Sequence, residues 1–77
     1  MTLAELEKGD HDLYRINSVD CRDPAVQRLM VMGLVEGAEI ELASSAIGGD
    51  PIEFKLFGTA ISLRREHAVR FSVQPIE

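Results

Sequence analysis

The sequence has no tryptophan and one cysteine, Cys21, in 77 residues. A single cysteine excludes an internal disulfide framework and a cysteine-rich zinc module, and it fits a reducing compartment. No stretch approaches the roughly 18 apolar residues needed to cross a bilayer. The first eight residues carry acids and no apolar run, unlike a secretory leader. Basic residues are also short: eight Lys and Arg stand against thirteen Asp and Glu, a net charge of −5. That balance argues against nucleic-acid binding. There is no repeat, linker or low-complexity segment. Residues 1–77 are therefore expected to form one small soluble, cytoplasmic domain with no direct membrane insertion.

What is present centres on one stretch. Asp23-Pro24 reads as a helix start, with an aspartate cap and a proline at the first helical position. Val26, Leu29 and Met30 follow at the spacing of one buried face. Gly33 is the residue most able to take the left-handed conformation that ends a helix. In that geometry Leu34 and Leu29 form the apolar pair that accompanies the stop. Val31 and Met32 fall off the buried face.

Around this helix the pattern is β. Thr2 and Glu5 match a capping box for one short turn, stopped near Lys8-Gly9-Asp10. Residues 13–19 read as a strand with a bulge or early end near Asn17-Ser18. Gly37 supplies a positive φ to a turn after Leu34-Val35-Glu36. Residues 38–43, 52–56, 60–64 and 69–73 alternate apolar and polar, as half-buried strands do. Gly48-Gly49-Asp50-Pro51 marks a turn, Gly58-Thr59 a tight Gly-X hairpin, and Arg65-Glu66-His67-Ala68 one 3₁₀-like turn. Five short strands are too few for a two-layer sandwich, but they suit a small, partly open barrel filled by side chains.

Chemistry-bearing constellations are thin. His11, Cys21, His67 and the methionines lack the i, i+4 or CxxC spacing of a metal site. Asp10, His11 and Asp12 offer at most a weak, adventitious divalent ion, so no cofactor is expected. Cys21 has no base placed by spacing, which points away from an enzyme. Gly48-Gly49-Asp50 lacks the lysine and following helix of a phosphate loop. By contrast, Val31, Met32, Val35, Ile47 and Phe57 fit no inward set, and a convergence of them would be a partner surface. Arg64 and Arg65 are placed to rim such a surface and steer an acidic partner.

Three stretches resemble one family. Arg28-Leu29-Met30-Val31-Met32-Gly33-Leu34-Val35-Glu36-Gly37 resembles the RLxxMGLxPG signature of ferrous iron transport protein A, the FeoA family. Gly48-Gly49-Asp50-Pro51-Ile52-Glu53 is similar to its LGDPIE turn. The run from Ile61 to Ala68, with Leu63-Arg64-Arg65 at its centre, is similar to its LSLRRxEA ending. Glu36 stands where the family usually has proline, and Gly48 where it usually has leucine.

The resemblance implies a mainly β fold, an SH3-like partly open barrel of five or six short strands with one inserted helix. It also implies a cytoplasmic accessory of FeoB, the membrane ferrous iron transporter with a GTP-binding domain. Contact with the FeoB cytoplasmic region is expected through Val31, Met32, Leu34 and Val35, with Arg64 and Arg65 at the rim; a weak homo-oligomer is a further expectation. The same barrel occurs at the C-terminus of iron-dependent repressors, so the alternative is a transition-metal sensor or carrier domain. With no winged helix or linker ahead of it, a free-standing protein is expected.

Overall fold

The computed structural model describes residues 1–6, 13–45 and 49–76. The Lys8-Gly9-Asp10 stop, the Asp10-His11-Asp12 cluster, Ile47 and Gly48 lie outside the described residues.

A single 3₁₀ turn, Leu3–Glu5, opens the chain. Glu5 holds it in both directions: its N–H donates to the Thr2 carbonyl at 3.0 Å, and its Oε1 accepts from the Thr2 N–H at 2.9 Å. That second bond lowers the Glu5 carboxyl from its ordinary range. Leu3 is fully buried by the turn.

β1 (Tyr14–Val19) buries Tyr14 and Ile16. Its pairing with β5 (Phe71–Pro75) slips between Ile16 and Ser18, the bulge expected at Asn17-Ser18. α1 (Pro24–Val31) begins as the sequence requires, with Asp23 Oδ1 accepting from the Ala25 N–H at 2.8 Å. Val26 is fully buried, and Leu29 and Met30 pack partly against the core. Burying a valine side chain is worth about 1.5–3 kcal/mol.

α1 ends in a complete Schellman stop. Gly33 sits at φ +114°. Its N–H donates to the Met30 carbonyl at 3.0 Å, and the Leu34 N–H donates to the Leu29 carbonyl at 3.2 Å. The next turn closes when the Ala38 N–H reaches the Val35 carbonyl at 3.0 Å, with Gly37 at φ +90°. Two further bonds fasten it to β1: Gly37 N–H to the Ile16 carbonyl at 2.8 Å, and Ile16 N–H to the Ala38 carbonyl at 2.9 Å.

β2 (Glu39–Ser45), β3 (Ile52–Leu56) and β4 (Thr59–Leu63) form a meander. The full sheet is antiparallel, in the order β4-β3-β2-β1-β5. β2 slips once against β3, between Leu42 and Ser44. The two slips bend the sheet, yet β4 and β5 remain edges and the barrel is not closed. Its interior is filled by Phe54, Phe71, Ile40 and Leu34, among others.

Several bounds differ from those expected: β2 runs on from the expected residue 43 to Ser45, and β4 spans Thr59–Leu63 instead of residues 60–64. The β3–β4 hairpin turns at Phe57-Gly58, one residue earlier than Gly58-Thr59, because Phe57 itself takes a positive φ of +53° beside Gly58 at +78°. Arg65–Ala68 is a single α-helical turn, α2, rather than a 3₁₀ turn: the Ala68 N–H donates to the Arg64 carbonyl at 2.9 Å. Val69 caps α2 and is half exposed, so β5 starts at Phe71 and not at residue 69.

Candidate functional site

The described surface carries one apolar region that the fold does not account for. Val31 closes α1 and is 89% exposed; Met32, its cap, is 61% exposed. Across from them stands the β3–β4 hairpin, where Phe57 is 80% exposed. Phe57 and Gly58 both have positive φ, the signature of a type I′ turn, which favours Asn or Gly at the first position. A phenylalanine held there costs about 1–2 kcal/mol of backbone strain. Its ring is aimed back over Gly33, where an added Cβ would lie 3.3 Å from Phe57 Cε2 and 3.3 Å from Leu56 Cδ2. A side chain at Gly33 would crowd Leu56 and Phe57 there and would be strained at its φ of +114°.

The result is a groove of about 170 Å³ lined by Met32, Leu56, Phe57, Thr59, Ala60 and Ile61. It lies between the end of α1 and the start of β4. On its other side Phe57 borders a wider groove of about 530 Å³, with Leu13, Ala38, Glu39, Glu41 and Lys55 along it. One exposed aromatic thus separates two concave surfaces.

The expected contact residues divide. Val31 and Met32 are on the surface, and Val35 is half exposed. Leu34 is not: as the residue after Gly33 in the Schellman stop it turns into the core and is fully buried. Its side chain has no surface to offer a partner, which corrects its place among the contacts. Arg65 is also corrected. Its guanidinium donates to the Gly49 carbonyl from Nη2 at 2.8 Å and from Nε at 3.2 Å, and Nη1 donates to the Ala4 carbonyl. Its backbone N–H donates to Asp50 Oδ1 at 2.9 Å. Arg65 therefore ties the β2–β3 turn and the N-terminal 3₁₀ turn to α2. Arg64 points outward, with Asp50 Oδ2 at 4.0 Å. It stands after the last residue of β4, whereas Phe57 stands before the first, so the strand's length separates the two. Arg64 does not rim the Met32–Phe57 groove.

A charge cluster that the sequence reading passed over lies at the β1–β5 end of the sheet. Asp20 accepts from Arg22 Nε and Nη2, both at 2.8 Å, and from Arg70 Nη1 at 2.9 Å. The Asp20 N–H also donates to the Arg70 carbonyl at 2.8 Å. The Arg22 guanidinium, above all, holds the Asp20 carboxyl far below the usual carboxylate range. Asp20 and Arg22 are two residues apart, whereas Arg70 is fifty residues on, and the β1–β5 pairing brings it to them.

Among the described residues, no group of three or more His, Cys, Asp or Glu side chains is arranged to hold a metal ion. Cys21 is exposed, and His67 Nε2 lies 3.9 Å from Glu66 Oε1. No helix of the described residues is long and apolar enough to cross a membrane.

Comparison with known proteins gives a consistent result. The family model for the FeoA domain matches residues 1–75. A Fe(2+) transport protein A/Fe(2+) transporter FeoB fusion protein of Porphyromonas gingivalis is 34% identical over 76 residues, which are 99% of this chain and 9% of that protein. The chain thus spans about a tenth of the length of that relative. The solution structure of FeoA from Chlorobium tepidum matches with a TM-score of 0.84 at 37% identity, covering 100% of this chain and 71% of the other. The crystal structure of zinc-complexed FeoA from Stenotrophomonas maltophilia, an SH3 domain protein, matches at 0.75 and 30% identity, covering 96% and 89%.

Proposed function

The chain belongs to the FeoA domain family, and we infer that it is an accessory of ferrous iron uptake that binds the cytoplasmic region of a FeoB transporter and biases its transport or GTP cycle. The mainly β, SH3-like barrel supplies a scaffold for binding. The observation that carries the reading is the pairing of Met32 with a strained, exposed Phe57 across an apolar groove. Strain at an exposed bulky residue persists where it serves a contact. The P. gingivalis relative supports the choice of partner: it joins the two proteins in one chain, and a tether of that kind replaces affinity with local concentration.

An adaptor changes a cycle only by binding one state of its partner better than another, and a tenfold preference corresponds to about 1.4 kcal/mol. The contact set proposed is Val31, Met32, Val35 and Phe57. Titration of the FeoB cytoplasmic region with the Met32→Asp variant tests it. The expected outcome is binding at least tenfold weaker with an unchanged fold; undiminished binding would remove the Met32 face from the contact.

A further inference from the structure

The two edges of the sheet are treated differently. On β5 the outer side is occupied: Thr2 bridges Ser72, and the Val73 N–H donates to the Met1 carbonyl at 2.9 Å. Pro75 ends the strand with a residue that cannot donate. On β4, among the described residues, no strand pairs with the outer side. Edge strands are ordinarily protected by lysine, proline or a bulge. β4 reads Thr-Ala-Ile-Ser-Leu and carries no charge and no proline, and its pairing with β3 runs without a slip from Leu56–Thr59 to Ile52–Leu63. In a two-residue hairpin the pairs alternate, so Ile61 bonds inward to Phe54 while the N–H and C=O of Ala60 and Ser62 face outward.

The side chains around this edge specify an occupant. On the inner face, the row Leu42, Phe54, Ile61 runs straight into the apolar groove between Met32 and Phe57. On the outer face, Glu53 lies opposite Ser62 and Lys55 opposite Ala60. Both edge residues are small. A strand added beside β4 would lie about 10 Å from β3, within reach of a long charged side chain crossing Ser62 or Ala60.

We propose that β4 is a strand-addition site for an extended segment of a protein partner. That segment carries an apolar side chain opposite Ile61, seated in the Met32–Phe57 groove, with a basic residue opposite Ser62 to meet Glu53 and an acidic residue opposite Ala60 to meet Lys55. Main-chain bonds to Ala60 and Ser62 supply affinity, and the groove and the two charges supply selection. A second copy of this chain fits less well: paired about Ile61, it sets Ala60 against Ser62 and meets neither charge. The identity of the partner as FeoB rests on the preceding reading; the strand-addition chemistry does not.

The test uses the whole chain and two probes, the FeoB cytoplasmic region and a short synthetic strand peptide with lysine, isoleucine and glutamate at its centre. The readouts are amide hydrogen exchange and titration. The expected result is that the FeoB region slows exchange of the Ala60 and Ser62 amides at least tenfold, and that Ser62→Pro weakens binding at least tenfold. That proline removes an outward N–H and no β3–β4 bond; should it disturb the fold, Ser62→Lys sets a like charge against the partner's basic residue and engages Glu53 without touching the main chain, and is expected to weaken binding likewise. Binding of the FeoB region with both amides unprotected and both variants unaffected overturns the proposal. If the FeoB region does not bind, the partner assignment falls, and the peptide decides the site: protection of the two amides supports it, and no protection overturns it. Sedimentation showing a dimer that Ser62→Pro abolishes also overturns it, because the occupant is then a second copy.

Discussion

The ring of Phe57 lies over the bare Cα of Gly33, so close that a methyl group there would sit 3.3 Å from Cε2. This contact joins the stop of α1 to the tip of the β3–β4 hairpin and shapes the groove between them. Changing either residue separates stability from binding. Gly33→Ala meets both the tight contact and a φ of +114°, and is expected to lower unfolding free energy by about 1–3 kcal/mol. Phe57→Asn places a residue suited to a type I′ turn at φ +53°, and is expected to raise stability by about 0.5–1 kcal/mol while weakening the proposed FeoB contact tenfold or more. Urea melts and titration on the same samples check both. A Phe57→Asn protein that is less stable would show that the ring packs more than it strains.

The adjacent arginines are expected to behave unlike each other. Arg65→Ala strips the donors from the Gly49 and Ala4 carbonyls and should cost about 1–2 kcal/mol. Arg64→Ala removes one long, exposed ion pair with Asp50 and should stay within about 0.5 kcal/mol of the parent. Equal losses in denaturant melts would contradict the division of roles.

Acid stability should depend on Asp20. Its carboxyl is held far below the ordinary value in the folded chain, chiefly by the Arg22 guanidinium, and returns to about 3.9 on unfolding. The stabilisation is therefore complete above about pH 4 and is lost as pH falls through the folded-state value. Asp20→Asn is expected to lower the urea midpoint at neutral pH and to flatten the decline below about pH 4. Parallel acid limbs for the two proteins would show that Asp20 carries no such linkage.

Glu36 occupies the second position of the turn closed by Ala38 N–H and the Val35 carbonyl, with Gly37 following at φ +90°. Proline is favoured at that second position. Glu36→Pro is expected to stabilise the fold by about 0.4–1 kcal/mol, by restricting the unfolded chain. A thermal melt checks it; a lower midpoint would mean that Glu36 does not hold the proline φ.

Where local chemistry decides structure, the sequence was readable. Asp23, Pro24 and Gly33 act within a few residues of themselves, and the helix they bound is as they imply. The slip near Asn17 followed from the broken alternation between Ile16 and Val19. Where a residue's role depends on what arrives from afar, it was not. Arg64 and Arg65 are alike in sequence and both exposed, and only the approach of the Gly49 and Ala4 carbonyls engages one of them in a structural tie. Leu34 belonged to both the helix stop and the surface list; the hydrogen bond from its N–H to Leu29 assigns it to the core. Phe57 gave no turn signal because aromatic residues seldom take positive φ. The exposed, unmatched character of Met32 and Phe57 was legible from the apolar pattern, but the groove between them was not, because it needs the hairpin to fold over Gly33.

The strand order also bears on how the chain acquires its structure. β2, β3 and β4 are neighbours in sequence and can pair as they are made. β1 has to wait: its longer ladder is with β5, and Tyr14, which faces Ile40 of β2 on one side, gains its second partner only when Pro75 is present. A ladder closing such a span pays its loop entropy before any contact rewards it. On the ribosome, the first strand therefore stays half-paired until the last has emerged, and the Asp20 clamp to Arg70 is among the final contacts to form.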